Sequence, residues 1–128
     1  MNRIRETEEE LGVTFPAVFK IRMSARNGGA VHIDDEYWEL YPFLDRTDRR
    51  TISRSSQDIR YHTREAMTRI GFPPDGIAIA HDSASDLLFL RRKGADLGQE
   101  VWRFDGYSGE VFQVLDDVGE LWEPRHSP

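Results

Sequence analysis

The spacing of apolar positions changes twice along the chain. In residues 4–11, Ile4, Thr7 and Leu11 fall at helical intervals, and Gly12 stands where a glycine ends a helix. A second helix is predicted from Pro16, a residue suited to the first helical position. Its expected buried side is Phe15, Val18, Phe19, Ile21 and Ala25, and Asn27-Gly28-Gly29 is its stop. The period then shortens to two. Residues 31–33 begin a strand and residues 37–43 make another, with Asp34-Asp35-Glu36 as the acidic turn between them. Trp38, Leu40 and Pro42 are expected on one face of that strand, and Tyr37, Glu39, Tyr41 and Phe43 on the other. Residues 45–56 hold few apolar side chains and many arginines, and read as a surface loop. Helical spacing returns with Ile59, Thr63, Ala66, Met67 and Ile70, an amphipathic stripe that Ser55 or Ser56 could cap.

Residues 71–91 read as a helix stop followed by two strands around a tight polar turn. Gly71 can take a left-handed backbone, and Pro73 and Pro74 cannot continue a helix. Ile77 and Leu87 each open a short apolar run, with Asp82-Ser83-Ala84-Ser85-Asp86 between the two. Leu87, Leu88, Phe89 and Leu90 do not alternate with polar residues, so this strand is expected to be covered on both faces and central in its sheet. Residues 92–98 read as a loop. Residues 101–105 and 110–115 form a predicted hairpin around Gly106-Tyr107-Ser108-Gly109. Residues 116–122 are a short helix or irregular, and residues 123–128 are expected to be a loose tail. Neither an internal repeat nor a low-complexity linker interrupts the chain. The order of elements is not a regular βαβ alternation. It predicts one α+β domain over residues 1–128, with a mainly antiparallel mixed sheet of about six strands and helices packed on one side.

Composition narrows the function. The 128 residues suit one domain with a core of its own. With 23 acidic against 17 basic residues the formal net charge is −6. That sign opposes phosphate backbones, so nucleic acid is not an expected partner, whereas a basic protein surface is. The absence of cysteine rules out disulfides and thiolate chemistry and suits a reducing compartment, here taken as the cytoplasm. The charged start MNRIRETEEE lacks the apolar region of a signal peptide, and no apolar run is long enough for a bilayer, so no membrane role is expected.

Candidate chemistry is sparse. His81-Asp82 with Ser83 and Ser85 contains the residue types of a hydrolytic triad, but neighbours at a strand end diverge, and a turn is the better account. His32, His62, His81 and His126 lack the spacing of metal ligands, so no metal is expected. Asp116-Asp117 cannot face each other across a cleft, and the glutamates of residues 6–10 read as a solvated face. The arginines between Arg46 and Arg69 lack the interleaved aromatics of a nucleic-acid site.

Three stretches resemble the Smi1/Knr4 family, also called the SUKH superfamily: IRETEEELGVTFPAVFKIRMSARNGG, WELYPF and GFPPDGIAIAHDSASDLLFL. With the C-terminal hairpin the likeness covers most of residues 4–115, although Ser85 stands where many members carry glycine. The resemblance implies an α+β domain that binds proteins, carries no catalytic residue set and needs no cofactor. Bacterial members are commonly immunity proteins against polymorphic or contact-dependent toxins, often nucleases, whereas fungal relatives are scaffold-like regulators. The expected role is therefore binding of a cognate basic toxin, with a regulatory scaffold as the alternative. The expected face combines Asp34, Asp35, Glu36 and Glu39 with Tyr37, Trp38 and Tyr41, and with Asp82 and Asp86 as a second group.

Overall fold

The computed structural model describes residues 2–123. Helix α1, Arg3–Leu11, starts where the Asn2 side chain accepts from the Ile4 N–H at 2.7 Å, and ends where Gly12 takes φ 68°. Glu8 at its end accepts from the Phe15 N–H at 2.7 Å, which turns the chain toward α2, Ala17–Ala25. Pro16 is the N-cap of α2 rather than its first residue. Phe15, Phe19 and Met23 form its buried stripe, each four residues after the last. Ile21 is displaced from Phe19 by two residues, about 200° around the helix, so it faces solvent, contrary to expectation.

Strands β1, Gly29–Ile33, and β2, Glu36–Leu40, pair antiparallel from Gly29↔Leu40 to Ile33↔Glu36. Asn27 does more than stop a helix. Its side-chain amide donates to the Phe43 carbonyl and accepts from the Phe43 N–H, both at 2.8 Å. After Leu40 the chain leaves the strand, so the period-two reading of residues 37–43 ends early: Tyr41 and Phe43 are buried along with Trp38 and Leu40.

The expected loop at residues 45–56 contains a helix, α3, Arg49–Ser55. A capping box begins it: Asp48 accepts from the Thr51 N–H, and the Thr51 hydroxyl accepts from the Asp48 N–H. Helix α4, Ile59–Ala66, is capped by Asp58, which accepts from the Tyr61 N–H at 3.0 Å. Ser55 instead accepts from the Asp45 N–H, so neither proposed serine caps α4. Ile59, Thr63 and Ala66 are buried, and the Thr63 hydroxyl accepts from the Ala78 N–H, which docks α4 on the sheet. The helix ends before Met67 and Ile70, leaving Ile70 in solvent.

Strands β3, Gly76–His81, and β4, Leu87–Lys93, follow, then the two-residue β5, Asp96–Leu97, and the hairpin of β6, Val101–Phe104, and β7, Val111–Leu115. The sheet order is β1-β2-β3-β4-β6-β7, with β5 beside the end of β4. All strand pairings are antiparallel; a parallel bridge joins Thr14 to Asp96. Strand β4 lies between β3 and β6, and Leu87 to Leu90 are all buried, as their unbroken apolar run requires. Glycine is needed at position 71: φ is 96°, and a Cβ there would lie 2.6 Å from the Gly109 carbonyl oxygen. A 3-10 helix, Val118–Trp122, follows, capped by Asp117 and Glu120, and packs on β1 and α2. The fold is α+β. The tail expected at 123–128 falls, beyond Glu123, outside the described residues.

Two ring clusters fill the core. Phe15, Phe19 and Phe43 meet at centroid distances of 5.1–6.0 Å, with Trp122 on Phe19 at 6.0 Å. Phe72 packs on Phe89 at 5.0 Å and on Phe104 at 5.5 Å. Among the described residues no helix is long and apolar enough to cross a membrane.

Candidate functional site

The β1–β2 hairpin turns at Asp34-Asp35, with Asp34 at φ 53°, a backbone that aspartate tolerates better than most residues. Strand alternation puts Tyr37 and Glu39 on one face of β2 and Glu36, Trp38 and Leu40 on the other; Trp38 and Leu40 are buried, whereas Glu36, at the start of the strand, stays exposed. Asp34, Asp35, Glu36 and Glu39 are exposed, and Tyr37 keeps 68% of its surface in solvent. The side chains of Asp35 and Glu39 make no hydrogen bond or ion pair among the described residues.

Behind this face sits Arg103 of β6. Its guanidinium lies over the Trp38 ring, 4.9 Å from the centroid. Nη1 and Nη2 donate to the two Glu36 oxygens at 2.8 and 3.2 Å. Nε and Nη2 reach Asp86 Oδ2 at 2.8 and 2.7 Å, and Asp82 Oδ2 lies 3.9 Å away. The hydrogen bond to Glu36 is the main force holding Arg103 above its already high ordinary pKa; burial opposes it, and the bond to Asp86 adds to it. Asp86 also accepts from the Gly106 N–H, and Asp82 Oδ1 accepts from the Ala84 and Asp86 N–H groups, closing the β3–β4 turn. One arginine thus ties the acidic hairpin to that turn and to β6.

Beside the turn, Tyr41 lies parallel to two imidazoles: His62 at 3.7 Å and His81 at 5.2 Å between centroids. Burial pushes the Tyr41 hydroxyl up to about 12, with Arg69 pulling the other way and Asp82 adding to the rise. A cavity of about 470 Å³ opens here, lined by Tyr41, Arg54, His62, Arg69, His81 and Asp82 among others. A second hollow of about 260 Å³ lies on the hairpin side, between Ala30, Tyr37, Trp38, Glu39, His81, Asp82 and Ser83. Glu39, His81 and Asp82 line both.

Burial, with a further contribution from nearby His81, holds the His62 pKa below its ordinary 6.5. The unfolded chain therefore takes up more protons than the folded one as pH falls through 6.5, and this removes stability on acidification. The midpoint of thermal unfolding is expected to fall between about pH 7 and about pH 5.5, and His62→Gln to flatten that slope, as read by circular dichroism across the range.

A family model described as SMI1 / KNR4 family (SUKH-1) matches residues 2–123. The chain belongs to the SMI1/KNR4 family. No curated protein and no solved structure gives a match.

In this SUKH-1 domain the structure gathers Tyr37, Trp38, Glu39 and Asp82 around one hollow, with Asp34, Asp35 and Glu36 on the adjoining hairpin. Two expected anchors are corrected. Trp38 is 1% and Tyr41 5% exposed, because Arg103 covers the first and the chain dips into the core at the second, so neither is an exposed contact residue. Asp86 is buried as well, with its carboxylate committed to Arg103 and Gly106. Arg103 and His62 were not expected at the site. The signal for Arg103 was an arginine inside the otherwise apolar run Val101-Trp102-Arg103-Phe104.

The remaining candidates have structural roles in this SUKH-1 domain. His81 Nδ1 contacts the Asp82 carbonyl at 3.1 Å, whereas the Asp82 carboxylate serves backbone amides, so the residue types of a triad do not converge. Among the described residues no group of three or more histidines and carboxylates could hold a metal; His126 lies outside them. The glutamates of α1 are not merely solvated. Glu10 takes Arg60 at 2.6 Å and Arg64 at 3.9 Å, and Glu6 takes Arg46 at 3.5 Å. The acidic start and the arginine-rich middle of the chain pair with each other.

Proposed function

We propose that this SUKH-1 domain is a non-catalytic immunity protein. It binds a cognate bacterial toxin of basic charge, such as a nuclease, in the cytoplasm, covering the toxin's active site or an adjoining surface. The reading rests on one observation: Asp34, Asp35, Glu36 and Glu39 stand exposed around Tyr37 on a hairpin that Arg103 holds in place. Such a face offers a nuclease the same sign of charge as its substrate, and opposite potentials speed encounter and reject wrong partners. An exposed tyrosine amid charges is also a common binding anchor.

The test is co-expression with the product of the neighbouring toxin-domain gene. Wild type is expected to restore growth. The double change Asp35→Lys and Glu39→Lys is expected to weaken binding about tenfold, mainly through a slower association rate measured by surface plasmon resonance. Toxicity that persists beside the wild-type protein refutes the reading.

A further inference from the structure

We infer that the hollow between Tyr37, Trp38, Glu39 and Asp82 is a receptor for one arginine side chain of the protein partner. The inference rests on the proposed role as a binder of a basic protein and names the group that is recognised.

At about 260 Å³ the hollow is smaller than the about 300–1,000 Å³ of sites for drug-sized ligands, so it suits one side chain rather than a whole small molecule. Tyr37 and Ala30 give it apolar and aromatic surface for an aliphatic stem. Glu39 and Asp82 supply the charge. Among the described residues the Glu39 carboxylate has no partner, and Asp82 Oδ2 has only Arg103, at 3.9 Å. Neither arginine nor lysine lines this hollow, whereas Arg54 and Arg69 both line the larger cavity beside it. In the smaller hollow a cation meets Glu39 and Asp82 without a competing cation in the lining, whereas in the larger one Arg54 and Arg69 offset the same two carboxylates.

Arginine fits better than lysine. A planar guanidinium can stack on an aromatic ring while its N–H groups reach carboxylates, and an ammonium has no such plane. The protein already uses this arrangement within itself, where Arg103 lies over the Trp38 ring and is forked by Glu36 and Asp86. The Trp38 Nε1–H is buried without an acceptor among the described residues, which makes it a sensitive local reporter.

The probes are three short blocked peptides, acetyl-Gly-Arg-Gly-amide and its lysine and glutamine counterparts, titrated into the full chain and followed by nitrogen–proton correlation spectra. The arginine peptide is expected to shift the Trp38 indole and the Ala30 and Ser83 amides saturably, in roughly the millimolar range. The lysine peptide is expected to bind at least about threefold more weakly, and the glutamine peptide not to bind. Glu39→Gln and Tyr37→Ala, both at exposed positions, are expected to weaken the arginine shift at least about fivefold with little change in the unfolding midpoint. Equal shifts from all three peptides, shifts confined to the larger cavity, or an unchanged affinity in Glu39→Gln would overturn the assignment. If the toxin is neutralised but the arginine peptide leaves the hollow untouched, the assignment fails and the immunity role stands. If the peptide binds and no toxin is neutralised, the receptor stands and the immunity role fails.

Discussion

Arg103→Gln is expected to cost about 3 kcal/mol of folding stability, the low end for removing one partner of a buried ion pair. The low end applies because the arginine side chain keeps 21% of its surface in solvent. Without the guanidinium, Asp86 keeps only the Gly106 N–H and its own turn, and Asp82 and Glu36 lose their shared cation. The Trp38 ring loses the charge that lies over it. In a domain of this size the change amounts to a fall of about 12 °C in the unfolding midpoint. Guanidinium denaturation at an unchanged m-value is the measurement. The matched change Glu36→Gln, at a half-exposed carboxylate, should cost under about 1 kcal/mol. A loss below 1 kcal/mol in Arg103→Gln would mean that its three carboxylates are satisfied by solvent and that the hub is not structural.

Phe89→Ala is expected to cost more, about 4 kcal/mol. Phe89 is wholly buried on the central strand, its ring meets Phe72 at 5.0 Å, and the Gly76 backbone is packed so tightly that a Cβ there would lie 3.0 Å from the Phe89 ring. Little around it can close over the space left behind. Phe112→Ala on the edge strand β7 is the control: that ring is 43% exposed, and its loss should cost under about 1 kcal/mol. Similar losses at the two positions, read from the same denaturation curves, would contradict the placement of β4 at the centre of the sheet.

That placement was visible before any coordinates, since Leu87 to Leu90 leave no polar position for solvent. The stops at Gly12 and Gly71 were visible for the same kind of reason: each position needs a backbone that only glycine adopts readily. Helix α3 was not, because Ile52 is its only large apolar residue and it is held by its cap rather than by a stripe. The spacing Asp48-x-x-Thr51 was the available sign. Asp58, immediately before the stripe that begins at Ile59, was the better cap than either serine. At the site, the acidic turn could be read from Asp34-Asp35-Glu36, because turn chemistry is local. The burial of Trp38 could not. It depends on an arginine 65 residues further along the chain, and local periodicity carries no information about such a pairing.

The sheet is built from two pieces of chain. Strands β3 to β7 run through residues 76–115, while the β1–β2 hairpin joins them through the short ladder Glu39↔His81 and Leu40↔Ala80, the Tyr41 N–H to the Ile79 carbonyl just beyond it, and the Arg103–Glu36 bond. The arginine receptor straddles that narrow seam, since Glu39 belongs to one side and His81 and Asp82 to the other. A partner seated there would act as a staple, and its affinity would add directly to the work needed to part the two halves. The bound domain would then resist local opening, and the proteolysis that follows it, at that join.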